Sequence, residues 1–149
     1  MNIKQKLYNH CQEFINQKLE TIQKTILSNK EALSSETKSS AGDKHETGRA
    51  MLQLEMEKAG QQLKVVQQMQ IQISRIDINA KNEIGCLGSL ISTNSYSYYL
   101  AVSVGKVTID SEDYFVISSN SPIGKLLLGK KRGDSISFNN TQIYIENIA

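Results

Sequence analysis

The sequence predicts an α+β protein. An N-terminal antiparallel helical hairpin of coiled-coil type spans residues 1–80, and a small antiparallel β domain with one short helix spans residues 81–149. Three observations carry this reading. Composition changes near residue 81: 11 of 12 Gln residues lie before it, while 7 of 9 aromatic residues, 6 of 9 Gly and the sole proline, Pro122, lie after it. Apolar residues in the first half recur at steps of three and four, the helical period. In the second half they alternate, the strand period.

Two helical stripes are legible. Tyr8, Ile15, Leu19, Ile22, Ile26 and Leu33 form the first; Leu52, Met56, Ala59, Leu63, Val66, Ile73 and Ile76 form the second, interrupted by Gln70 and Asp77. Each is a narrow seam, as in paired helices, not the broad face of a globular helix. Between them, residues 34–48 (SSETKSSAGDKHETG) hold no apolar side chain larger than alanine and read as a turn region. The arms on either side are of nearly equal length, as an antiparallel hairpin requires. Pairing of the seams within one chain predicts a monomer.

The second half predicts five strands. YSYYLAVSV alternates, with Tyr98 expected inside and Tyr99 outside; YFVIS from Tyr114 to Ser118 is a second strand, and Leu87–Ile91 a third. Residues Asp134–Phe138 and Gln142–Ile148 flank Asn139-Asn140-Thr141 and predict a terminal hairpin. Between them lies SPIGKLLLGKKRGD, from Ser121 to Asp134. Ser121 is placed to cap a helix, Pro122 suits the first helical position, Ile123, Leu126, Leu127 and Leu128 are the expected buried face, and Gly129 is the expected terminator.

Composition excludes several functions. A net charge of +2 argues against a dedicated duplex-DNA binder. No apolar run reaches the roughly 20 residues that span a bilayer, so no membrane partner is expected. The start, MNIKQKLYNHCQ, has no signal-peptide apolar core, and a cytoplasmic location is expected. Cys11 and Cys86 match no metal-ligand spacing and are expected to be reduced thiols. The tyrosines at 96, 98 and 99 are explained by strand alternation more simply than by a proline-binding pocket.

Asp43 and Glu46, three residues apart, fall near one side of a helix start. A capping arrangement and the helix dipole account for such a pair without any further role. The basic run Lys125, Lys130, Lys131 and Arg132 reads equally as a solvated edge or as a docking face for an acidic partner.

The Ser121–Asp134 string closely resembles the C-terminal signature of bacterial Gre transcript-cleavage factors, and Gly42-Asp43-Lys44-His45-Glu46 resembles the Gly-Asp-x-x-Glu segment at their hairpin tip. That resemblance implies an FKBP-like second domain and an accessory factor, not an enzyme in its own right. It implies insertion of the hairpin into the secondary channel of RNA polymerase. There Asp43 and Glu46 would help hold a Mg²⁺ shared with the polymerase and promote cleavage of the backtracked nascent RNA 3′ end. By the same resemblance, Ser121, Pro122, Ile123, Gly124, Lys125, Lys130, Lys131 and Arg132 are the docking residues. Lys44, His45 and Arg49 are candidates for RNA contact; Lys44 and His45 make the tip less acidic and read equally as groups that meet polymerase carboxylates or as solvated side chains. Unlike many Gre factors, which continue with Asn and a nearby Tyr, this chain continues Thr47-Gly48-Arg49-Ala50. That difference leaves open a regulator that occupies the channel without stimulating cleavage. A coiled-coil interaction protein with no polymerase role is the alternative of another class.

Overall fold

The computed structural model describes the backbone of residues 2–38 and 43–149, with side chains described for these except 36–38 and 43–46. The architecture is α+β: two packed N-terminal helices, α1 (Ile3–Lys38) and α2 (Asp43–Ser74), are followed by six strands and a short helix. The strands are β1 (Leu90–Thr93), β2 (Ser97–Ala101), β3 (Gly105–Ile109), β4 (Glu112–Ser118), β5 (Ser135–Phe138) and β6 (Thr141–Ile148); α3 (Pro122–Leu127) lies between β4 and β5. The chain forms two compact units, one of Ile15–Met69 and one combining Met1–Phe14 with Gln70–Ala149.

In the helical unit the buried positions are Ile15, Ile22 and Asn29 on α1 and Ala59 and Val66 on α2, each seven residues from the next on its helix. Leu19, Ile26, Leu33, Leu52, Met56 and Leu63 are half-buried beside them. This is a heptad seam, with small and branched side chains at its centre. Asn29 is a polar member of it, and its amide Nδ2 has no hydrogen-bond partner among the described residues. The helices also claim both ends of the polar segment read as a turn: α1 continues through Lys38 and α2 starts at Asp43. Nothing in Ser34–Lys38 breaks a helix, and a polar sequence need not be a loop. The second stripe ends earlier than its spacing suggests. α2 stops at Ser74, and Asp77 accepts a hydrogen bond from the Asn79 N–H in the turn that follows.

In the other unit, the sheet order is β3-β4-β2-β1-β6-β5. All pairs are antiparallel except β2–β4, which is parallel, with Tyr98 beside Phe115 and Leu100 beside Ile117. Six strands form where patterning gives five. The long alternating run stops at Ala101. The chain then bends, and β3 pairs back onto β4 through a two-residue turn in which Asp110 and Ser111 have φ of 52° and 67°. Asn139 and Asn140 adopt the same left-handed pair, φ 52° and 61°, in the predicted terminal hairpin. Such turns match the twist of the flanking strands. The predicted Leu87–Ile91 strand begins later, at Leu90, because Ser89 Oγ holds Cys86–Ser89 as a turn, accepting from the Cys86 N–H and donating to its carbonyl oxygen.

One sheet face carries Ile91, Tyr98, Leu100, Ile136, Ile143 and Ile145, packed with Leu127 of α3. The opposite face is buried too. Tyr99 and Val116 are fully buried, with Val107, Ile109 and Tyr114 nearly so. Its cover is the start of α1, where Leu7 and Cys11 are fully buried. The Cys11 thiol is hydrogen-bonded with the Val102 backbone, and Tyr99 lies near Cys11 and Tyr8. Lys6 Nζ reaches Asp110 Oδ2 at 2.7 Å, tying α1 to the β3–β4 turn. Buried Lys4 donates to the Ala80 carbonyl at 2.9 Å. Burial lowers its pKa, against the opposing influence of Cys86 and Asp77. Tyr99 is therefore inside, contrary to the alternation reading, because a helix and not water lies over that face.

Burial pushes the Cys11 thiol up to about 12. The native state thus holds this proton more tightly than the unfolded chain does. The stabilisation is complete below the ordinary thiol value of 9.0 and is lost as pH rises through that value toward about 12. A disulfide-exchange reagent at neutral pH should modify the half-buried Cys86 in the native protein and reach Cys11 only on unfolding. Two thiols titrating at equal rates in the native state would contradict this burial.

Candidate functional site

The residues singled out by sequence fall into two groups, one in each compact unit. Asp43, Lys44, His45 and Glu46 occupy the first turn of α2. Their side chains lie outside the described residues. Arg49 follows on the same helix and is exposed.

The second group is built around α3. Ser121 has an extended backbone, φ −68° and ψ 158°, and its Oγ accepts from the Gly124 N–H at 3.1 Å. The same hydroxyl donates to the Ser118 carbonyl at 2.6 Å. Pro122 takes the first helical position and Gly129, φ +77°, follows the last turn. Gly124 is required by a close approach: a Cβ there would stand 2.2 Å from the Ser118 carbonyl oxygen. Cap, proline and glycine therefore act together to seat a six-residue helix against the end of β4. Its buried face is narrower than expected. Leu127 is fully buried and Ile123 partly so, four residues apart on one side, whereas Leu126 and Leu128 are exposed.

The basic residues after α3 stand on a braced loop. The Gly129 N–H donates to the Gly85 carbonyl and the Gly85 N–H to the Lys130 carbonyl, both at 2.8 Å. Gly85 admits no side chain, since a Cβ would lie 2.0 Å from the Leu127 carbonyl oxygen. On the other side the Gly133 N–H donates to the Ile145 carbonyl at 2.9 Å, and the Ile145 N–H to the Asp134 carbonyl at 2.8 Å. Asp134 Oδ2 accepts from the Lys131 N–H at 2.8 Å. Lys131 and Arg132 are left exposed on this frame; Lys130 is half-buried and Lys125 exposed on α3.

An open groove of about 510 Å³ lies beside the loop, lined by Glu83, Ile84, Lys131, Arg132, Asn147 and Ile148. Sequence reading found only the two cations. Ile84, Asn147 and Ile148 join them through an isolated bridge between Ile84 and Lys131 and through the sheet, links between distant segments that leave no local pattern.

Other motifs are absorbed by the fold. Cys86 Sγ donates to Asn82 Oδ1 at 3.4 Å within the tight turn before β1. Tyr96 packs edge-on against both Tyr98 and Phe115, with Tyr96 and Phe115 ring centroids 4.7 Å apart, and Tyr98 and Phe115 are tilted to one another. Tyr99 is on the opposite face, so the three tyrosines do not line one pocket. Among the described residues, no group of three or more His, Cys, Asp or Glu could hold a metal ion, and no helix is long and apolar enough to cross a membrane.

Ser121→Ala should destabilise the sheet unit by about 1 kcal/mol through loss of the cap. Gly124→Ala should cost about 1–3 kcal/mol through overlap with the Ser118 carbonyl. Denaturant unfolding followed by tyrosine fluorescence measures both, and a neutral Gly124→Ala would refute the close approach.

No protein-family model and no curated relative matches the chain. Among solved structures, one similar chain is described as "Structure of the transcription factor Gfh1"; it is 19% identical, the alignment covers 95% of this chain and 92% of that one, and the TM-score is 0.34.

Proposed function

We propose that this protein is a Gre-like transcription factor that binds RNA polymerase. In this reading the sheet unit docks on the polymerase through the α3 region and the basic loop, and the hairpin enters the secondary channel. The supporting observation is the pairing of two motifs with fitting elements on one chain. A helical hairpin carries Asp43 and Glu46 in the first turn of its second helix, and the Ser121–Asp134 string forms a capped helix followed by a braced basic loop.

The chemistry assigned to the hairpin is shared. Two carboxylates at i and i+3 offer hard oxygen donors of the kind Mg²⁺ takes. They are a partial set, so the remaining donors belong to the polymerase and the RNA phosphate. When bound, the ion would supply the positive charge that favours a hydroxide-like nucleophile. Asp43 and Glu46 would hold and orient, and the nascent RNA 3′ end is the substrate. Lys44, His45 and Arg49 supply cationic or polar groups for the RNA backbone.

Thr47-Gly48-Arg49-Ala50, in place of the Asn and Tyr common in Gre factors, favours a second reading. The hairpin would then occupy the channel and slow transcription without shortening the RNA.

Purified backtracked elongation complexes with Mg²⁺ separate these outcomes. The wild-type protein should shorten the RNA, and Asp43→Ala or Glu46→Ala should abolish shortening while polymerase binding persists. Cleavage by the doubly substituted protein at the wild-type rate would overturn the assignment. Inhibition without cleavage by the wild type would establish the second reading, and failure to bind polymerase would refute both.

A further inference from the structure

We infer that the groove lined by Glu83, Ile84, Lys131, Arg132, Asn147 and Ile148 is a docking slot for an acidic polypeptide segment that carries an apolar side chain. The inference deepens the docking role proposed for Lys131 and Arg132 and rests on that part of the reading; it does not need the cleavage chemistry.

The loop holding the two cations is fixed before any partner arrives. Backbone bonds join it to Gly85 on one side and to Ile145 on the other, and Ile84 bridges Lys131. A frame of this kind loses little conformational freedom on binding, so more of the interaction energy appears as affinity.

Charge in the groove is unbalanced. Lys131 and Arg132 face one lining carboxylate, Glu83. The nearest acidic residue in sequence, Asp134, has its carboxylate turned back onto the Lys131 N–H. An anionic partner therefore meets a net cationic surface, with Arg132 able to grip a carboxylate through two parallel bonds. Glu83 limits the acidic part of the partner to the Lys131 and Arg132 side.

The apolar lining selects the class of anion. Ile84 is 46% exposed, and Ile148, half-buried against the sheet core, lines the same groove. A bare phosphate would leave both unused. Single-stranded nucleic acid binds by stacking bases on aromatic rings, and none lines this groove. An acidic segment with a leucine-like anchor uses the cations and the two isoleucines together.

The test uses the full chain and a fluorescein-labelled dodecapeptide of alternating Asp and Glu with two central leucines, followed by anisotropy. A peptide with serines replacing the leucines and a labelled oligouridylate are the comparison probes. The leucine peptide should bind, and Lys131→Gln combined with Arg132→Gln should weaken it at least about tenfold. Ile84→Ser and the serine peptide should each weaken binding about threefold or more, and Glu83→Gln should tighten it about twofold, the sign expected when a like charge is removed. Circular dichroism confirms that each variant is folded. Tighter binding of the oligouridylate, or leucine-peptide binding indifferent to the groove substitutions, overturns the proposal.

Polymerase co-sedimentation with the same Lys131/Arg132 variant separates the two readings. If peptide binding falls while polymerase binding holds, the groove stands and these cations leave the polymerase interface. If polymerase binding falls while peptide binding is unchanged, the groove is refuted and the docking face stands.

Discussion

The sheet has two apolar faces, and this constraint organises the rest of its unit. One face is closed by α3 and the other by the opening turns of α1. Burying a side chain such as Leu7 contributes about 1.5–3 kcal/mol. The partly exposed Lys6–Asp110 ion pair contributes about 0–1 kcal/mol. Apolar contact therefore decides the association, and the ion pair at most trims its geometry. The Tyr99 hydroxyl is buried with no partner among the described residues. An unmet group of that kind costs roughly 1–3 kcal/mol. The fold tolerates it because the ring beneath that hydroxyl removes a large apolar area from water.

The Ser121–Asp134 string is occupied by packing duties to an unusual degree. Ser121 caps, Gly124 admits the Ser118 carbonyl, Gly129 ends the helix, and Asp134 holds the Lys131 N–H. These demands alone would favour much of the motif in any chain that seats a short helix at this corner. The residues left for a partner are the ones the fold does not consume: Lys125, Lys131, Arg132 and the exposed Leu126 and Leu128. A resemblance carried by such a string speaks first to architecture, and its functional content lies in the side chains that project from the frame.

The α+β class, both helices, the terminal hairpin and the capped α3 were legible because each rests on local chemistry: heptad spacing, an Asn-Asn turn, a Ser-Pro start. What escaped depends on contacts between distant segments. Leu7 and Cys11 lie off the stripe read through Tyr8, and their role appears only when the sheet lies against them. The turn at Asp110-Ser111 lacks the glycine that usually marks left-handed geometry, so β3 went unseen. Ile84 and Ile148 come from opposite ends of the second half and meet only in the folded sheet. Of the candidate site, the cations were visible and their apolar neighbours were not; Asp43 and Glu46 were visible as a spaced pair.

Asn29 sits where the heptad of Ile15 and Ile22 calls for a third branched apolar side chain. Its amide Nδ2 is buried without a partner among the described residues, so this row carries a desolvation cost in the register the fold adopts. The hairpin thus gives up some cohesion at this row, and a version with leucine there would be tougher.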